Sequence, residues 1–316
     1  MIEILTAGEI LVEIMRPKIG IPLYITGPFR GPFVSGAPAI FIDTVSRLGH
    51  KGAIIGGVGN DDFGKLCTDR LKRDGVCISA VKISNMPTGV AFVAYFEDGS
   101  RKFFYNTRYS AATNIGKFDK KNLSSVKIFH IMGCSLMLRE DLNNTIIEYA
   151  KKVKDYGGKI SFDPNIRSEL MDEDYIKKSL KIVINFSDII LLGVKELCLI
   201  TDSKGKDEAI SKITKKSEII VLKNGSKGCE IYTRSLKKSI KIPSFKINEV
   251  DPTGAGDSFD AGFLCGYLEG KSLKECAIFA NACGALNATK LGPIEGVFKR
   301  SIVEKFVKIN REKINI

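Results

Sequence analysis

Residues 251–263 read Asp-Pro-Thr-Gly-Ala-Gly-Asp-Ser-Phe-Asp-Ala-Gly-Phe. Gly254 and Gly256 have no Cβ, so the backbone can turn sharply and present consecutive N–H groups. The apolar spacing that follows predicts a buried helix face over 258–268. The first amides of a helix have no internal partner and carry the positive end of its dipole, so this stretch predicts an anion site.

A carboxylate, Asp257, stands at the start of this predicted helix. A carboxylate at that position is normally a helix cap, and Asp251 would in the same way close a turn before Pro252. The alternative is that Asp257 faces the bound anion and takes part in chemistry. The spacing alone leaves both interpretations open, so the rest of the chain has to decide between them.

Length and composition indicate a globular α/β protein. The 316 residues with 44% hydrophobic content suffice for one large domain or two smaller ones with a substantial core. The first residues resemble neither a signal peptide nor a membrane span, so we expect a cytoplasmic protein without a membrane partner. The eight cysteines occur singly, without a C-x-x-C pair, which favours buried free thiols over metal or redox sites.

The net charge of +12 raises the question of nucleic acid binding. The excess consists mostly of lysines scattered over amphipathic stretches, which is typical of a solvated surface. The one concentrated basic arm, 237–241, has no aromatic residues between its lysines to stack on bases. We therefore expect no nucleic acid partner, although the positive potential would help to attract a polyanionic small molecule.

Strand-like and helix-like segments alternate along most of the chain, which predicts a mostly parallel central sheet with helices on both faces. The irregular stretch 11–33 and a hairpin of 88–96 with 102–105, turning at 97–100, predict a small separate β layer. The strands of the large sheet are expected at 2–7, 52–56, 126–132, 159–162, 188–192 and 218–222, with a further hairpin of 227–233 and 239–242. The helices are expected at 37–48, about 65–73, 140–156, 175–186, 194–200, 207–214, 255–268, 273–288 and 303–308.

Polar residues follow several of these strands directly, at Glu9, 163–167, 193–196 and 223–225. Ligands of open parallel sheets bind beyond the carboxyl ends of the strands, so these segments should converge on one edge of the sheet. Together with the loop 251–257 they would form a polar site suited to a nucleotide and a hydroxylated substrate.

Other motifs in the chain are better explained as coincidence. Gly59 to Lys65 nearly matches a phosphate-binding P-loop, but Leu66 stands where a magnesium-binding Ser or Thr is required. Asp62-Phe63-Gly64 matches the metal-binding triplet of protein kinases, but no segment resembling their catalytic loop or lysine strand accompanies it. His130, one of two histidines, lies in an apolar strand and is expected to be a core residue.

The motif Gly254-Ala-Gly-Asp257 resembles the signature of the ribokinase (PfkB) family of carbohydrate kinases. Four further segments resemble the same family in the same order, so the resemblance spans nearly the whole chain. They are Ser35-Gly-Ala-Pro-Ala39, Gly57-Val-Gly-Asn-Asp-Asp-Phe-Gly64, Asp163-Pro-Asn-Ile-Arg167 and Lys223-Asn-Gly-Ser-Lys-Gly228.

This resemblance implies phosphoryl transfer at the opening loop. Asp257 would be the general base that takes the proton of a sugar hydroxyl, while the amides of Gly254, Ala255 and Gly256 would stabilise charge on the transferred group. Mg²⁺ would bridge the phosphates of ATP, with Glu196 nearby. The resemblance places the nucleotide on the same three loop residues and on Asn165, Gly193, Lys223, Gly225 and Gly228.

The resemblance also implies where the sugar binds and where a monovalent cation such as K⁺ would lie. The cation would be held by Asp251 and Thr253. Taken alone, Tyr105 also fits a lid core, Arg167 a surface ion pair and Glu196 a helix-surface acid. The residues expected to face the sugar, besides Asp257, are Glu9, Ser35, Gly36, Ala37, Ile40, Tyr105 and Arg167.

Departures from the family pattern bear on the substrate. Ser35 and Ile40 stand where the family usually has glycine and often asparagine, so one sugar-hydroxyl contact is expected to be lost or moved. Gly193 replaces the asparagine of the family's Asn-x-x-Glu motif, which affects the water network around the metal. The pattern Asp163-x-Asn165-x-Arg167 indicates the fructokinase and 2-keto-3-deoxygluconate kinase branch.

The prediction is therefore an ATP-dependent kinase of a small sugar, either a ketose of the fructose or tagatose type or 2-keto-3-deoxygluconate. A nucleoside or vitamin kinase, or a non-catalytic sugar or nucleotide sensor, are the alternatives. The expected α/β domain comprises 1–9, 35–87 and 113–316, and the expected β lid comprises 10–34 and 88–112. Exposed lid strands invite pairing, so we expect a homodimer through the lids.

Overall fold

The computed structural model describes residues 1–98, 100–167, 174–235 and 238–311. Gly99 of the predicted hairpin turn and Lys237 of the basic arm lie outside these residues. The strands are β1 Ile4–Ala7, β2 Leu11–Met15, β3 Arg30–Ser35, β4 Gly52–Gly59, β5 Val81–Ser84, β6 Gly89–Tyr95, β7 Arg101–Asn106, β8 Ile128–Met132, β9 Lys159–Asp163, β10 Ile189–Gly193, β11 Ile219–Lys223, β12 Cys229–Thr233 and β13 Ile240–Ile242. The helices are α1 Ala37–Arg47, α2 Asp62–Arg73, α3 Lys120–Leu123, α4 Gly133–Leu136, α5 Glu140–Asp155, α6 Asp174–Phe186, α7 Val194–Thr201, α8 Lys206–Ile213, α9 Ala255–Leu268, α10 Leu273–Asn287 and α11 Arg300–Asn310.

Two sheets organise the described residues. The large sheet has the strand order β13-β12-β11-β10-β9-β8-β1-β4-β5, and the strands from β11 to β5 run parallel. Its last two strands, β12 and β13, add antiparallel at one edge. The small sheet has the order β3-β2-β6-β7. The predicted α/β fold, with a mostly parallel sheet and a small separate β layer, is thus confirmed.

Both faces of the large sheet are covered by helices, as its apolar strands require. On β1, Ile4 belongs to an apolar cluster that includes residues of α1, α2, α9, α10 and α11, whereas Leu5 belongs to a second cluster that includes residues of α5, α6, α7 and α8. Helices α9 and α10 approach closely because small residues line their contact. A Cβ on Gly262 would lie only 2.8 Å from Sγ of Cys283.

The structure also corrects several element predictions. The stretch 11–33, predicted to be irregular, holds strand β2 and most of β3, while β5 was not predicted at all. Strand β4 continues to Gly59 instead of ending at Gly56, because its glycines fit against neighbouring backbone. A Cβ on Gly57 would lie 2.2 Å from the carbonyl oxygen of Ala111. The division into a domain and a lid stays a prediction.

Most of the predicted core residues are buried, although Cys77 and Cys198 are only half-buried. All eight cysteines are free thiols and six of them are buried. His130 is fully buried, stacks on Phe41 at a centroid distance of 4.0 Å and contacts Oγ of Ser161 at 3.1 Å. Burial lowers the pKa of His130 to about 3, so the ring stays neutral. None of the helices described is both long enough and apolar enough to span a bilayer.

Candidate active site

A cleft lies between the carboxyl ends of the large-sheet strands and the small sheet, and it encloses about 1010 Å³ of empty space including its open mouth. Most of the residues predicted from the sequence line this one cleft. They are Glu9, Ser35, Gly36, Ala37, Ile40, Tyr105, Asn165, Arg167, Glu196, Lys223, Thr253, Gly254, Gly256 and Asp257. The predicted residues Gly193, Gly225, Gly228, Asp251 and Ala255 are not part of its lining.

The loop before α9 has the geometry expected for an anion site. Gly254 has φ 79° and forms the N-cap of α9, and a Cβ at this position would lie 2.3 Å from the carbonyl oxygen of Pro293. Only glycine fits there. The amide of Ala255 donates to the carbonyl of Pro252 at 3.2 Å, which leaves Gly254 and Gly256 as the loop amides for an incoming anion.

Asp257 is not a helix cap, so that interpretation of the sequence is wrong. Helix α9 has no side-chain cap hydrogen bond. The carboxylate of Asp257 is buried and accepts a hydrogen bond from Nδ2 of Asn165 at 3.1 Å. Burial, reinforced by the negative charge of Asp163, raises the pKa of Asp257 to about 7. A carboxyl group with this pKa is suited to accept a proton near neutral pH.

Asp251, by contrast, does close a turn. Its Oδ1 accepts hydrogen bonds from the amide of Thr253 at 3.0 Å and from the hydroxyl of Tyr95 at 2.9 Å. Its Oδ2 accepts one from the amide of Gly292 at 3.0 Å. The hydroxyl of Tyr95 also lies 3.1 Å from Oγ1 of Thr253, so a residue of the small sheet contacts the loop that leads into the anion site.

Carboxylates gather at the strand ends beneath Asp257. Nζ of Lys223, at the end of β11, donates to Oδ2 of Asp163 at 2.9 Å and to both carboxylate oxygens of Asp260 at 3.0 and 3.1 Å. Sequence reasoning missed Asp260. The signal was its position three residues after Asp257, which places both side chains on the same side of the helix.

Glu196 holds two loops together instead of lying on a helix surface. Its Oε2 accepts from the amide of Gly193 at 2.7 Å, and its Oε1 accepts from the amide of Ile166 at 2.9 Å. Burial raises the pKa of Glu196. Because both oxygens already accept backbone amides, this residue fits a magnesium ion through water rather than by direct ligation. Among the described residues there is no cluster of three or more His, Cys, Asp or Glu side chains arranged to hold a metal ion.

Two buried glutamates, Glu9 after β1 and Glu13 on β2, also line the cleft. Glu9 accepts hydrogen bonds from Oγ of Ser135 at 2.5 Å and Sγ of Cys134 at 3.2 Å, and burial raises its pKa. Glu13 accepts from Oγ of Ser35 at 3.0 Å, while its Oε1 is buried without a partner in the described chain. Burial, followed by the charge of Asp251, raises the pKa of Glu13 to about 7. Sequence reasoning missed Glu13, although a charged residue inside the apolar run 11–15 was a signal.

Strand β7 supplies the remaining wall. Arg101, Phe103 and Tyr105 alternate along it and line the cleft together with Thr107, which follows the strand. The rings of Phe103 and Tyr105 stack at 5.4 Å, and the guanidinium of Arg167 lies 5.9 Å from the Phe103 ring. Arg167 is therefore part of the cleft and not a surface ion-pair partner.

Comparison with known proteins identifies the family of this chain. The model of the pfkB family of carbohydrate kinases matches residues 34–299. Probable fructokinase-5 of Arabidopsis thaliana is 33% identical over 96% of this chain and 97% of its own length. The crystal structure of a "putative Ribokinase II" from E. coli in its apo form has a TM-score of 0.92 at 37% identity and covers 98% of this chain and 100% of its own. The same E. coli protein in complex with ATP and Mg²⁺ has a TM-score of 0.90 at 36% identity, with the same coverage of both chains.

The chain belongs to the pfkB family of carbohydrate kinases. It is an enzyme, a phosphotransferase that has an alcohol group as its acceptor. The family predicted from the sequence is thereby confirmed.

Proposed function

We propose that this enzyme transfers the γ-phosphoryl group of ATP to a hydroxyl of a ketose of the fructose type. The observation that carries the proposal is the buried carboxylate of Asp257, which lies in the cleft directly after the Gly254 anion loop. Full-length similarity to plant fructokinases supports a ketose, and the E. coli relative that binds ATP and Mg²⁺ supports the nucleotide.

In the proposed reaction, the acceptor hydroxyl lies between Asp257 and the γ-phosphorus atom. As the new O–P bond forms, the bond from phosphorus to the bridging β–γ oxygen breaks and ADP leaves. Asp257 takes the hydroxyl proton. The amides of Gly254 and Gly256, at the positive end of α9, stabilise charge on the transferred group. Mg²⁺, when bound, neutralises the phosphates, and Glu196 would hold it through water.

The ketose would bind between the anion loop and the small sheet. Glu9, Glu13 and Ser35 offer oxygen acceptors to its hydroxyls, and Tyr105 and Arg167 close the opposite side. Ile40 supplies an apolar surface, so the sugar makes no hydrogen bond at that position. The small sheet acts as a lid, and its Tyr95 contact with the Asp251 loop helps to exclude water that would otherwise hydrolyse the nucleotide.

A substrate panel tests the proposal. ADP release with ATP and Mg²⁺ should be fastest with fructose or tagatose, and it should be slower with 2-keto-3-deoxygluconate, ribose and nucleosides. Preference for a nucleoside or a vitamin would replace the ketose assignment. No turnover on the whole panel, together with tight sugar or nucleotide binding, would identify a sensor instead.

A monovalent cation such as K⁺ is a further proposal for Asp251 and Thr253. The Asp251 carboxylate already accepts three hydrogen bonds, so the cation would have to bind to the remaining lone pair of this carboxylate. The test compares turnover in potassium with turnover in a large organic cation. Equal rates would contradict the cation site.

We also propose a cytoplasmic homodimer that pairs through the small sheets. Several large apolar side chains of this region are exposed, including Tyr24 at 83% and Phe104 at 60%. Such a patch is unusual on a monomer. Sedimentation of the wild type should give a dimer and the Phe104→Glu variant a monomer, and a monomeric wild type would contradict the proposal.

A further inference from the structure

The ammonium group of Lys223 forms ion pairs with two buried carboxylates. Its Nζ lies 2.9 Å from Asp163 and 3.0 Å from Asp260, and the side chains of these two aspartates are 2% and 0% exposed. Burial alone would lower the pKa of Lys223, but the charges of Asp163 and Asp260 outweigh it and raise the pKa. The ammonium is therefore a fixed charge over the whole working pH range.

This ammonium is connected to Asp257 through two residues. Asp163 accepts a hydrogen bond from Lys223 with Oδ2 and from the amide of Asn165 with Oδ1, at 3.0 Å. Nδ2 of Asn165 then donates to Oδ1 of Asp257 at 3.1 Å. Asn165 has a left-handed φ of 38° and a buried Oδ1 without a partner in the described chain. A residue in this conformation persists only where its surroundings hold it firmly.

Lys223 is also close to the anion loop. Its Nζ would lie 3.7 Å from a Cβ built on Gly256. Asp260, in contrast, is fully buried and does not line the cleft, so it does not contact a substrate there. A buried carboxylate is costly unless it is paired, and its two contacts with Lys223 are the pairing that this structure provides.

We propose that Lys223 and Asp260 are positioning residues for Asp257: Asp260 clamps the Lys223 ammonium, which holds the Asp163–Asn165 arm against the base. The inference rests on the proposed role of Asp257. The electrostatics agree, since the charges of Arg167 and Lys223 oppose the rise in the pKa of Asp257 that burial and Asp163 cause. The alternative from family resemblance is that Lys223 binds a nucleotide phosphate directly.

The kinetic test uses Lys223→Met. We expect kcat at pH 7 to fall by about tenfold or more, the nucleotide KM to stay within about twofold, and the acid limb of kcat/KM to move up by roughly one pH unit. Lys206→Met is the matched control, because the Lys206 ammonium pairs with Glu230 at 2.6 Å and neither residue lines the cleft. A large rise in nucleotide KM with an unmoved acid limb would show a phosphate ligand and overturn the proposal.

The clamp itself is tested at Asp260. Asp260→Asn keeps an oxygen for Lys223 and should retain most of the activity, whereas Asp260→Leu should lose about as much kcat as Lys223→Met. Equal and small effects of both changes would overturn the role of Asp260. The conservative variant also keeps the test valid if an apolar residue at this position prevents folding.

A readout without turnover separates this inference from the proposed function. In protein labelled with ¹³C-aspartate, the carboxyl signal that disappears in Asp257→Asn can be titrated in the wild type and in Lys223→Met. Its midpoint should rise in the variant, and an unchanged midpoint would overturn the inference even if the kinase assay succeeds. Absence of ketose phosphorylation with a shifted midpoint would refute only the proposed function.

Discussion

The two walls of the cleft are built in opposite ways. The cleft floor, defined as Asp163, Asn165, Lys223 and Asp257, lies on the ends of strands and on a helix. Hydrogen bonds of 2.9 to 3.1 Å, one of them from the backbone amide of Asn165, connect these residues with one another and with the buried Asp260 behind them. The small sheet faces it with stacked rings and leaves residues such as Phe104 exposed. The difference teaches that the groups proposed for the chemical step are fixed in advance, while several of those proposed to recognise the sugar lie on the less constrained wall.

The largest effect is expected from Asp257→Asn on the floor. Asparagine keeps the size of the side chain but cannot take the hydroxyl proton, so kcat should fall by roughly 10²–10⁴-fold while nucleotide binding is retained. Steady-state kinetics and calorimetric titration with nucleotide measure the two parts. Asp207→Asn, on the exposed start of α8, is the control. Near-normal phosphorylation by the Asp257 variant would refute its role.

The same variant should be more stable than the wild type at pH 8. Burial, followed by the charge of Asp163, raises the pKa of Asp257 from 3.8 to about 7, so the folded chain holds this proton more tightly than the unfolded chain. Stability from this group is therefore present at low pH and is lost as pH rises from about 4 to about 7. The asparagine side chain of the variant has no charge to bury, and we expect a Tm increase of a few degrees. A lower Tm at pH 8 would contradict the burial argument.

The pH profile gives the second largest effect. Asp257 must be ionised to act as a base, so kcat/KM should decrease about tenfold per pH unit below its pKa of about 7. Measurements of kcat/KM from pH 5 to 9 at constant ionic strength would show this decrease on the acid side. The residual rate of Asp257→Asn should not decrease in this way, and a wild-type profile that is flat down to pH 5 would exclude Asp257 as the titrating base.

Glu13→Gln tests the opposite wall. The change keeps the shape but removes the charge of the acceptor facing the sugar, and a charge-assisted hydrogen bond is worth about 1.5 kcal/mol. We expect the ketose KM to rise about tenfold with little change in kcat. Glu97→Gln, exposed at the tip of the small sheet, is the matched control. A fall in kcat without a change in KM would assign Glu13 to the chemical step and would contradict the proposed difference between the two walls.

Tyr95→Phe should have the smallest effect. It removes the hydroxyl that contacts Asp251 and Thr253 and leaves the ring in place. A single hydrogen bond between the walls is worth about 1 kcal/mol, so we expect the ketose KM to rise by roughly threefold to fivefold and sugar-independent ATP hydrolysis to increase. Tyr109→Phe, at an exposed tyrosine, should change neither. Unchanged kinetics in Tyr95→Phe would show that this contact does not help to close the cleft.

The sequence was sufficient to locate the cleft, because the rule that ligands bind beyond parallel strand ends brings Glu9, Asn165, Glu196 and Lys223 together without knowledge of their contacts. It could not show which way Lys223 points. That direction follows from its contacts with Asp163 and Asp260, which lie 60 and 37 residues away from it in the sequence. Glu13 escaped prediction because the prolines and glycines of 11–33 concealed two strands of the small sheet.

The close contact at Gly254 has a consequence for how this enzyme can change. Its Cα faces the carbonyl of Pro293 with no room for a side chain, so backbone meets backbone and no neighbouring rotamer can adjust. In a saturation library, position 254 should therefore tolerate almost no replacement, while exposed positions of β7 such as Phe104 accept many. New acceptor preferences would then be selected on one wall of the cleft without disturbing the catalytic loop, and directed evolution toward other sugars should begin with the small sheet.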